Sequence, residues 1–276
     1  MYFERAAQAL GIAADRWSLP DLGRIPSTYD LYLRIDHGDD YEALLPERLR
    51  PSAFYAIDTH LPHSWRKIRR AAKHYDVTFC CQRRGAEALP RSEWLPLACD
   101  PEWHQAGAES VNWDVAFVGT EGGVPRKFYL QALRERYAKG YIGTADYRQL
   151  GAIYGQACIG FNYSIAGDVN MRMFEVMCAG ALLMTNATTE PEMRKLGFQD
   201  RRHLVFYRTP DELMTGIDHF LASPDERRAI AQAGRELVRS RHTYAQRLRQ
   251  LLVSVSQRCT LALPETVTGL ASCASS

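Results

Sequence analysis

The chain has 276 residues, 46% of them hydrophobic and 24% charged, with a formal net charge of +2, enough to bury one large core or two ordinary ones and far from the composition of a disordered or fibrous chain. A charge so near zero gives no broad electrostatic drive toward nucleic acid or a membrane surface. Seven cysteines without a CxxC or other paired spacing argue against a disulfide framework and a structural zinc site.

The opening MYFERAAQAL carries early charges and no long apolar segment. It is expected to be neither signal peptide nor membrane span, which places the protein in the cytoplasm without stable membrane insertion. Phe3 to Leu10 reads as a helix stopped by Gly11. An α/β domain opens with a strand before its first helix, so one strand is expected to be missing at the start. Leu31 to Ile35 and Phe54 to Ile57 are β-prone runs followed by Asp36 and His37 and by Asp58, Thr59 and His60. Acidic and imidazole groups thus stand just past strand ends, the edge where open parallel sheets bind ligands. The same side chains also suit capping and loop hydrogen bonding. His60 and His63 lack a helix that would set both on one face, so no metal site is expected. Ser64 to His74 reads as a basic amphipathic helix whose Arg66, Lys67, Arg69 and Arg70 form a solvated face or an anion patch. Val77 to Cys81 reads as another strand. Glu93 to Asp100, with its Pro, leads into the polar PEWHQAGAESVN, the expected connection between domains.

A clearer series follows. Asp114 to Val118 is a strand, Gly119 to Arg126 a Gly-rich turn into a helix reaching about Tyr137, Tyr141 and Ile142 a short strand, Tyr147 to Gln156 a helix and Cys158 to Tyr163 a buried strand. The turn matches neither GxGxxG nor GxxxxGK[ST]. Its glycines still let backbone N–H groups approach a phosphate, and Arg126 stands where one would dock; a plain strand–helix turn fits the same residues. In Asn170 to Asn186, NMRMFEVMCAGALLMTN, the apolar Met171, Phe174, Met177 and Cys178 lay one buried stripe along a helix, Gly180 ends it, and Ala181 to Met184 form a buried strand. Asn170, Arg172 and Glu175 stand off that stripe in the first two turns. There, free N–H groups and the helix dipole favour a phosphate, an Arg can grip it with two parallel hydrogen bonds, and a carboxylate can accept from sugar hydroxyls. The bland alternative is a solvated helix start with an Arg172–Glu175 pair. A helix near Glu192, a strand from His203 to Tyr207 and helices from Pro210 to about Arg258 complete a βα alternation that specifies a doubly wound parallel sheet. No GxSxG or HExxH is present.

Taken together, WLPLACDP (Trp94 to Pro101), DVAFVGT (Asp114 to Thr120), the Asn170 to Asn186 stretch and HTYAQRLRQLL (His242 to Leu252) resemble the CgeB-like family of glycosyltransferases, named after a spore maturation protein, across roughly residues 51 to 252. The resemblance implies a GT-B architecture: two Rossmann-like doubly wound parallel-sheet domains facing across a cleft. Residues 1–105 would be the acceptor-side domain, small and truncated, residues 106–258 the nucleotide-sugar-binding domain, and 259–276 a loose tail. It further implies a metal-independent enzyme that uses no cofactor. Such an enzyme moves a sugar, with retention, from a nucleoside diphosphate sugar to an unidentified acceptor, whether glycan, protein or small molecule, with no nucleic acid partner.

By the same resemblance Glu175, in the pattern E-x-x-x-x-G ahead of Gly180, binds the ribose diol. Gly119, Thr120, Gly122 and Gly123, with Tyr141 and Asn170, line the donor, and Arg126 and Arg172 neutralise its diphosphate. Arg172 then stabilises the leaving group, and Asp58 or His60 orients the acceptor hydroxyl or acts as base. Gly119, Arg172 and Glu175, far apart in sequence, are expected to line one cleft. Many relatives carry an acidic residue eight positions before the Glu that opens that pattern; this chain has Gly167 there, with Asp168 adjacent. That departure and the short first half keep two rivals in view: a nucleotide-sugar-binding protein that has lost transfer, and an NAD-dependent oxidoreductase, against which the absent GxGxxG counts.

Overall fold

In the computed structural model, which describes residues 1–36, 38, 41–105 and 110–269, the chain is built as two α/β units. One comprises Met1–Pro96 together with the chain from Tyr244 onward, the other Leu97–Thr243. His37 and part of the expected connector fall outside the described residues.

The first unit opens with helix α1 (Tyr2–Ala9) and continues through β1 (Tyr32–Ile35), β2 (Ser52–Ala56), α2 (Pro62–Ala71), β3 (Val77–Cys80), α3 (Arg83–Ala88) and β4 (Ser92–Trp94). Its four strands run parallel in the order β1-β2-β3-β4. Every residue of β2 is buried, as a parallel strand covered on both faces requires, and this is why SAFYA shows no polar alternation. Phe54, Ala56 and Cys80 pack against Ile68 and Ala71 of α2. The charged residues of that helix are left outward.

The second unit runs β5 (Trp113–Val118), α4 (Arg126–Arg136), β6 (Gly140–Gly143), α5 (Leu150–Gly155), β7 (Ala157–Asn162), α6 (Met171–Ala179), β8 (Leu182–Asn186), α7 (Glu190–Lys195), β9 (Val205–Tyr207), α8 (Pro210–Ala222) and α9 (Pro224–Arg241). Its parallel sheet has the order β6-β5-β7-β8-β9. The chain steps outward from β5 to β6, then crosses back to β7. The winding therefore reverses between β5 and β7, and the loops leaving those two strands part to open a crevice at their C-terminal ends. In-register pairing of Ala116 with Gly160 brings Val118 and Asn162, the last residues of the two strands, side by side.

Helix α6 corrects one expectation. It is buried all round from Met173 to Ala179, Glu175 included, rather than along a single stripe. The cause is its surroundings: α5 and α9 pack on it as well as β7 and β8. Gly180 ends it in the left-handed conformation, at φ 96°, which glycine alone adopts without strain.

Two helices close the chain on the first unit, α10 (Tyr244–Ser256) and α11 (Glu265–Thr268). Tyr244 stacks on Tyr2 at 4.7 Å, and Phe3 meets Tyr55 edge-on at 5.3 Å. Arg247 Nε donates to the Pro96 carbonyl at 2.8 Å, and Ser254 Oγ to Glu93 Oε1 at 2.6 Å. Residues 244–258 thus return to the first unit instead of ending a second domain at 258. An apolar stripe of Tyr244, Leu248, Leu251 and Val255 states that a partner is needed but not which one. The stretch expected to be loose also packs: Val267 is buried, and Thr266 Oγ1 donates to the Leu10 carbonyl at 2.7 Å. Residues 270–276 lie outside the described residues.

Candidate functional site

The crevice of the second unit is organised around the ring of Phe117, which closes the core end of β5. Arg172, in the first turn of α6, lays its guanidinium over that ring at 4.3 Å from the centroid. Its Nε donates to the Val118 carbonyl and its Nη1 to Asn162 Oδ1, both at 2.9 Å, so one side chain ties together the ends of β5 and β7. The bland alternative of an Arg172–Glu175 surface pair is therefore not what the structure contains. Asn162 is itself fixed: its Nδ2 donates to Thr185 Oγ1 at 2.9 Å, and its carbonyl accepts from the Tyr207 hydroxyl at 2.8 Å. Gly119 follows Val118 at φ 147°, and a Cβ there would collide with the Arg172 guanidinium. Both the backbone and the neighbour demand glycine.

Arg126, the first residue of α4, approaches the same ring from the turn side, 5.8 Å from its centroid, with Nε donating to the Glu121 carbonyl at 2.9 Å. Burial and the charge of Arg172 lower its pKa, while Asp168 opposes them. Two guanidiniums gathered at one aromatic ring repel each other and are together an electrostatic invitation to an anion. Asp168 is positioned from behind: Ser164 Oγ donates to its Oδ1 at 2.6 Å, and Asn186 clasps Ser164 through both backbone groups, at 2.8 and 2.9 Å. Gly167 beside it has φ 72°.

Glu175 lies one turn beyond Arg172 and is 6% exposed. Burial pushes its carboxyl up to about 7, Arg172 pulling the other way. Tyr154 of α5 stands nearby, its hydroxyl accepting the Val118 N–H at 3.0 Å and driven well above its ordinary range by burial. At the head of α6, Asn170 makes no side-chain cap and its Oδ1 is buried without a hydrogen-bond partner.

The glycine turn is exposed. Gly122 sits under the Arg126 guanidinium, which a Cβ there would strike, whereas nothing approaches Gly123. Gly119 and Thr120 edge a depression of about 200 Å³, whose other walls include Phe117, Ile142, Gly143 and Thr144. Tyr141 points elsewhere: its ring meets Trp113 at 5.7 Å and its hydroxyl donates to the Thr144 carbonyl at 3.2 Å. Successive side chains on a strand face opposite ways, so Ile142 takes the position beside Phe117.

In the first unit, Asp36 is fully buried and accepts four bonds, from the Gly38 N–H, the Tyr41 hydroxyl and the N–H groups of Ile57 and Asp58, at 2.6 to 3.1 Å. It builds the turn after β2 rather than meeting a ligand. Asp58 and His60 stand half-buried on that turn, with His63 exposed at the start of α2. Among the described residues, no group of three or more His, Cys, Asp or Glu is placed to hold a metal ion.

The sequence alone does not mark Asn162 and Phe117 as part of the crevice. A polar residue closing the buried strand ACIGFN was the available signal for Asn162; Phe117 is indistinguishable in sequence from an ordinary core residue.

A parallel sheet with a glycine turn, an arginine-headed helix and paired guanidiniums at its switch point defines the class of Rossmann-like proteins. Residues 102–253 match the family model described as glycosyl transferase-like, and the chain belongs to that family. No curated protein matches the sequence significantly. Among solved structures, Anabaena HepE in complex with UDP and glucose is similar at a TM-score of 0.65 and 12% identity, covering 87% of this chain and 81% of that one. An α-glucosyltransferase in complex with UDP-glucose and abasic DNA aligns at 0.63 and 9% identity over 93% and 84% of the two chains. Sucrose-phosphate synthase from Thermosynechococcus elongatus aligns at 0.59 and 11% over 93% and 79%. These likenesses show the fold, two parallel-sheet Rossmann-like domains of the GT-B type. Membership in a glycosyltransferase family removes the oxidoreductase rival.

Proposed function

We propose that the chain is a CgeB-like glycosyltransferase that binds a nucleoside diphosphate sugar in its second unit and transfers the sugar with retention, without a metal. The observation that carries this is the pairing of Arg126 and Arg172 over Phe117 beside Gly119, with Glu175 one turn further along the same helix. The two guanidiniums and the N-terminal N–H groups of α6 receive the diphosphate. As the bond to the sugar breaks, negative charge grows on the departing phosphate, and fixed cations stabilise that charge more than they stabilise the bound donor. Glu175 accepts from the ribose hydroxyls. The nucleoside end extends toward the depression edged by Ile142, Gly143 and Thr144.

Asp168 takes over the contact to the donor sugar that Gly167 cannot make, its carboxylate held by Ser164. Asp58 and His60 orient the acceptor hydroxyl or remove its proton. The structural neighbours bound to UDP, with or without glucose, make UDP the nucleotide to try first. The acceptor is a glycan, protein or small molecule; nucleic acid is not proposed, and neither is a membrane anchor, since among the described residues no helix is long and apolar enough to cross a bilayer. We place the enzyme in the cytoplasm.

Thermal-shift screening against UDP-, GDP-, ADP- and dTDP-sugars tests donor binding, because a ligand that binds only the native state raises Tm. Donor hydrolysis or transfer is then measured with wild type, Asp58→Asn and His60→Gln. Turnover that falls in the variants while donor affinity holds is the expected result. Binding without hydrolysis or transfer above background would establish the rival, a nucleotide-sugar-binding protein that has lost transfer.

A further inference from the structure

A histidine that the proposed chemistry leaves unused lies directly behind Glu175. His104 is fully buried, at 0% exposure, on the turn that begins at Asp100. Its Nδ1 accepts the Asp100 backbone N–H at 3.1 Å. A backbone amide can only donate, so Nδ1 carries no proton there, and the ring is held as the neutral tautomer with its hydrogen on Nε2. That Nε2 faces Glu175 Oε1 at 3.8 Å.

The turn is held closely enough to make this placement specific. Asp100 Oδ1 accepts the N–H groups of Glu102 and Trp103 at 3.0 and 3.3 Å, and the His104 N–H donates to the Asp100 carbonyl at 2.9 Å. The Trp103 ring packs on Tyr147 at 4.9 Å. A Cβ on Gly151 of α5 would stand 2.5 Å from the carbonyl oxygens of both Trp103 and Gln105, so glycine at that position is what lets the turn press against α5 and deliver the imidazole to α6.

We propose that His104 is a positioning residue for Glu175: its Nε2–H, oriented by the Asp100 amide, keeps the buried carboxylate charged and aimed for the ribose hydroxyls. The proposal rests on the ribose-binding role given to Glu175 above. Among the described residues, the other groups around that carboxylate are few. Arg172 shares its helix and favours the charged form; Tyr154 of α5 is a neutral hydroxyl; β7 and β8 carry no ionisable carboxyl or base. From α9, Arg235 and Arg239 approach Gly180 and Cys178, at the opposite end of α6. A separation of 3.8 Å is an electrostatic approach rather than a closed hydrogen bond. Because burial already holds Glu175 near neutrality, a donor at this position decides how much of the protein is competent at physiological pH.

The test titrates Glu175 in the full chain by 13C-carboxyl NMR, in wild type, His104→Phe and His104→Gln, and measures affinity for UDP over the same pH range. Wild type should titrate near 7. The Phe variant, which keeps a ring but has no N–H, should titrate about one unit higher. At pH 7 that shift leaves about a fifth as much carboxylate, so UDP should bind about fivefold more weakly, recovering the wild-type value above pH 9. The Gln variant keeps a donor and should stay near wild type. An unchanged Glu175 midpoint in the Phe variant, or a loss of affinity equal at every pH, would overturn the proposal. Should the Phe variant not fold, 15N NMR of the wild-type ring decides: a proton on Nδ1, or on both nitrogens, overturns it, and a proton on Nε2 alone supports it. The ribose reading fails separately, if Glu175→Gln leaves UDP affinity unchanged while the Glu175 midpoint still responds to His104.

Discussion

Replacing Arg172 by lysine keeps the charge and removes the planar fork, which separates the two things this side chain does. The guanidinium donates to the Val118 carbonyl and to Asn162 Oδ1 at 2.9 Å each while stacking on Phe117 at 4.3 Å. A lysine ammonium is a single point on a flexible stem and cannot hold both strand ends while presenting a flat face to an anion. Losing one such bond, with Arg172 partly exposed, should cost about 1–2 kcal/mol of stability and lower Tm by several degrees. The larger effect should fall on the ligand. Diphosphate gripped by two parallel hydrogen bonds would be left with one, and UDP should bind about 10- to 100-fold more weakly, the equivalent of ~1.4–2.8 kcal/mol. Uridine, which offers no phosphate, should bind wild type and variant alike. Calorimetry with both ligands at pH 8.5 makes the comparison with Glu175 mostly ionised, since its carboxyl titrates near 7. Equal losses for UDP and uridine, or none for UDP in a folded variant, would reduce Arg172 to a clamp between β5 and β7 and refute the diphosphate role.

Glu175→Gln should weaken UDP about 10- to 100-fold through lost charge-assisted bonds, and the penalty for 2′-deoxy-UDP should shrink in the variant; strictly additive losses would end the ribose assignment. The ligand-free protein should lose stability as pH rises from about 4.5 to 7, because the folded carboxyl titrates near 7 against 4.5 in the unfolded chain and the native state then holds a proton that unfolding releases. The span is at most about 3 kcal/mol, levels off above pH 7, and should vanish in Glu175→Gln; urea melts showing the same slope in both proteins would refute it. EDTA should leave UDP affinity unchanged, since Arg126 and Arg172 already supply the positive charge, and a large loss restored by Mn²⁺ would assign the charge neutralisation to a metal. Gly119→Ala should abolish UDP binding more completely than Arg172→Lys, because its Cβ displaces the guanidinium altogether; near wild-type affinity would show that the turn yields.

Periodicity and punctuation carried much of the architecture. Short apolar runs alternating with helical stretches specified the parallel sheet of the second unit, and Gly180 marked the end of α6 because a left-handed residue there needs no Cβ. The neighbours of a strand end were equally legible: Gly119 follows β5, Arg126 and Arg172 stand in the first turns of helices, and switch-point geometry gathers such positions whatever their distance in sequence. Partner choice was not legible. The apolar face of α10 was visible as a pattern, yet only the folded chain shows it returning to Tyr2 and Pro96, because an amphipathic stripe specifies burial without specifying against what. The position of Glu175 in the early turns of a helix was legible, but its burial comes from α5 and α9 closing over α6. Its carboxyl near 7 and its histidine neighbour are products of that packing. A local sequence fixes which groups a helix carries; how far water is excluded from them, and hence their charge, is decided by elements that arrive from elsewhere in the chain.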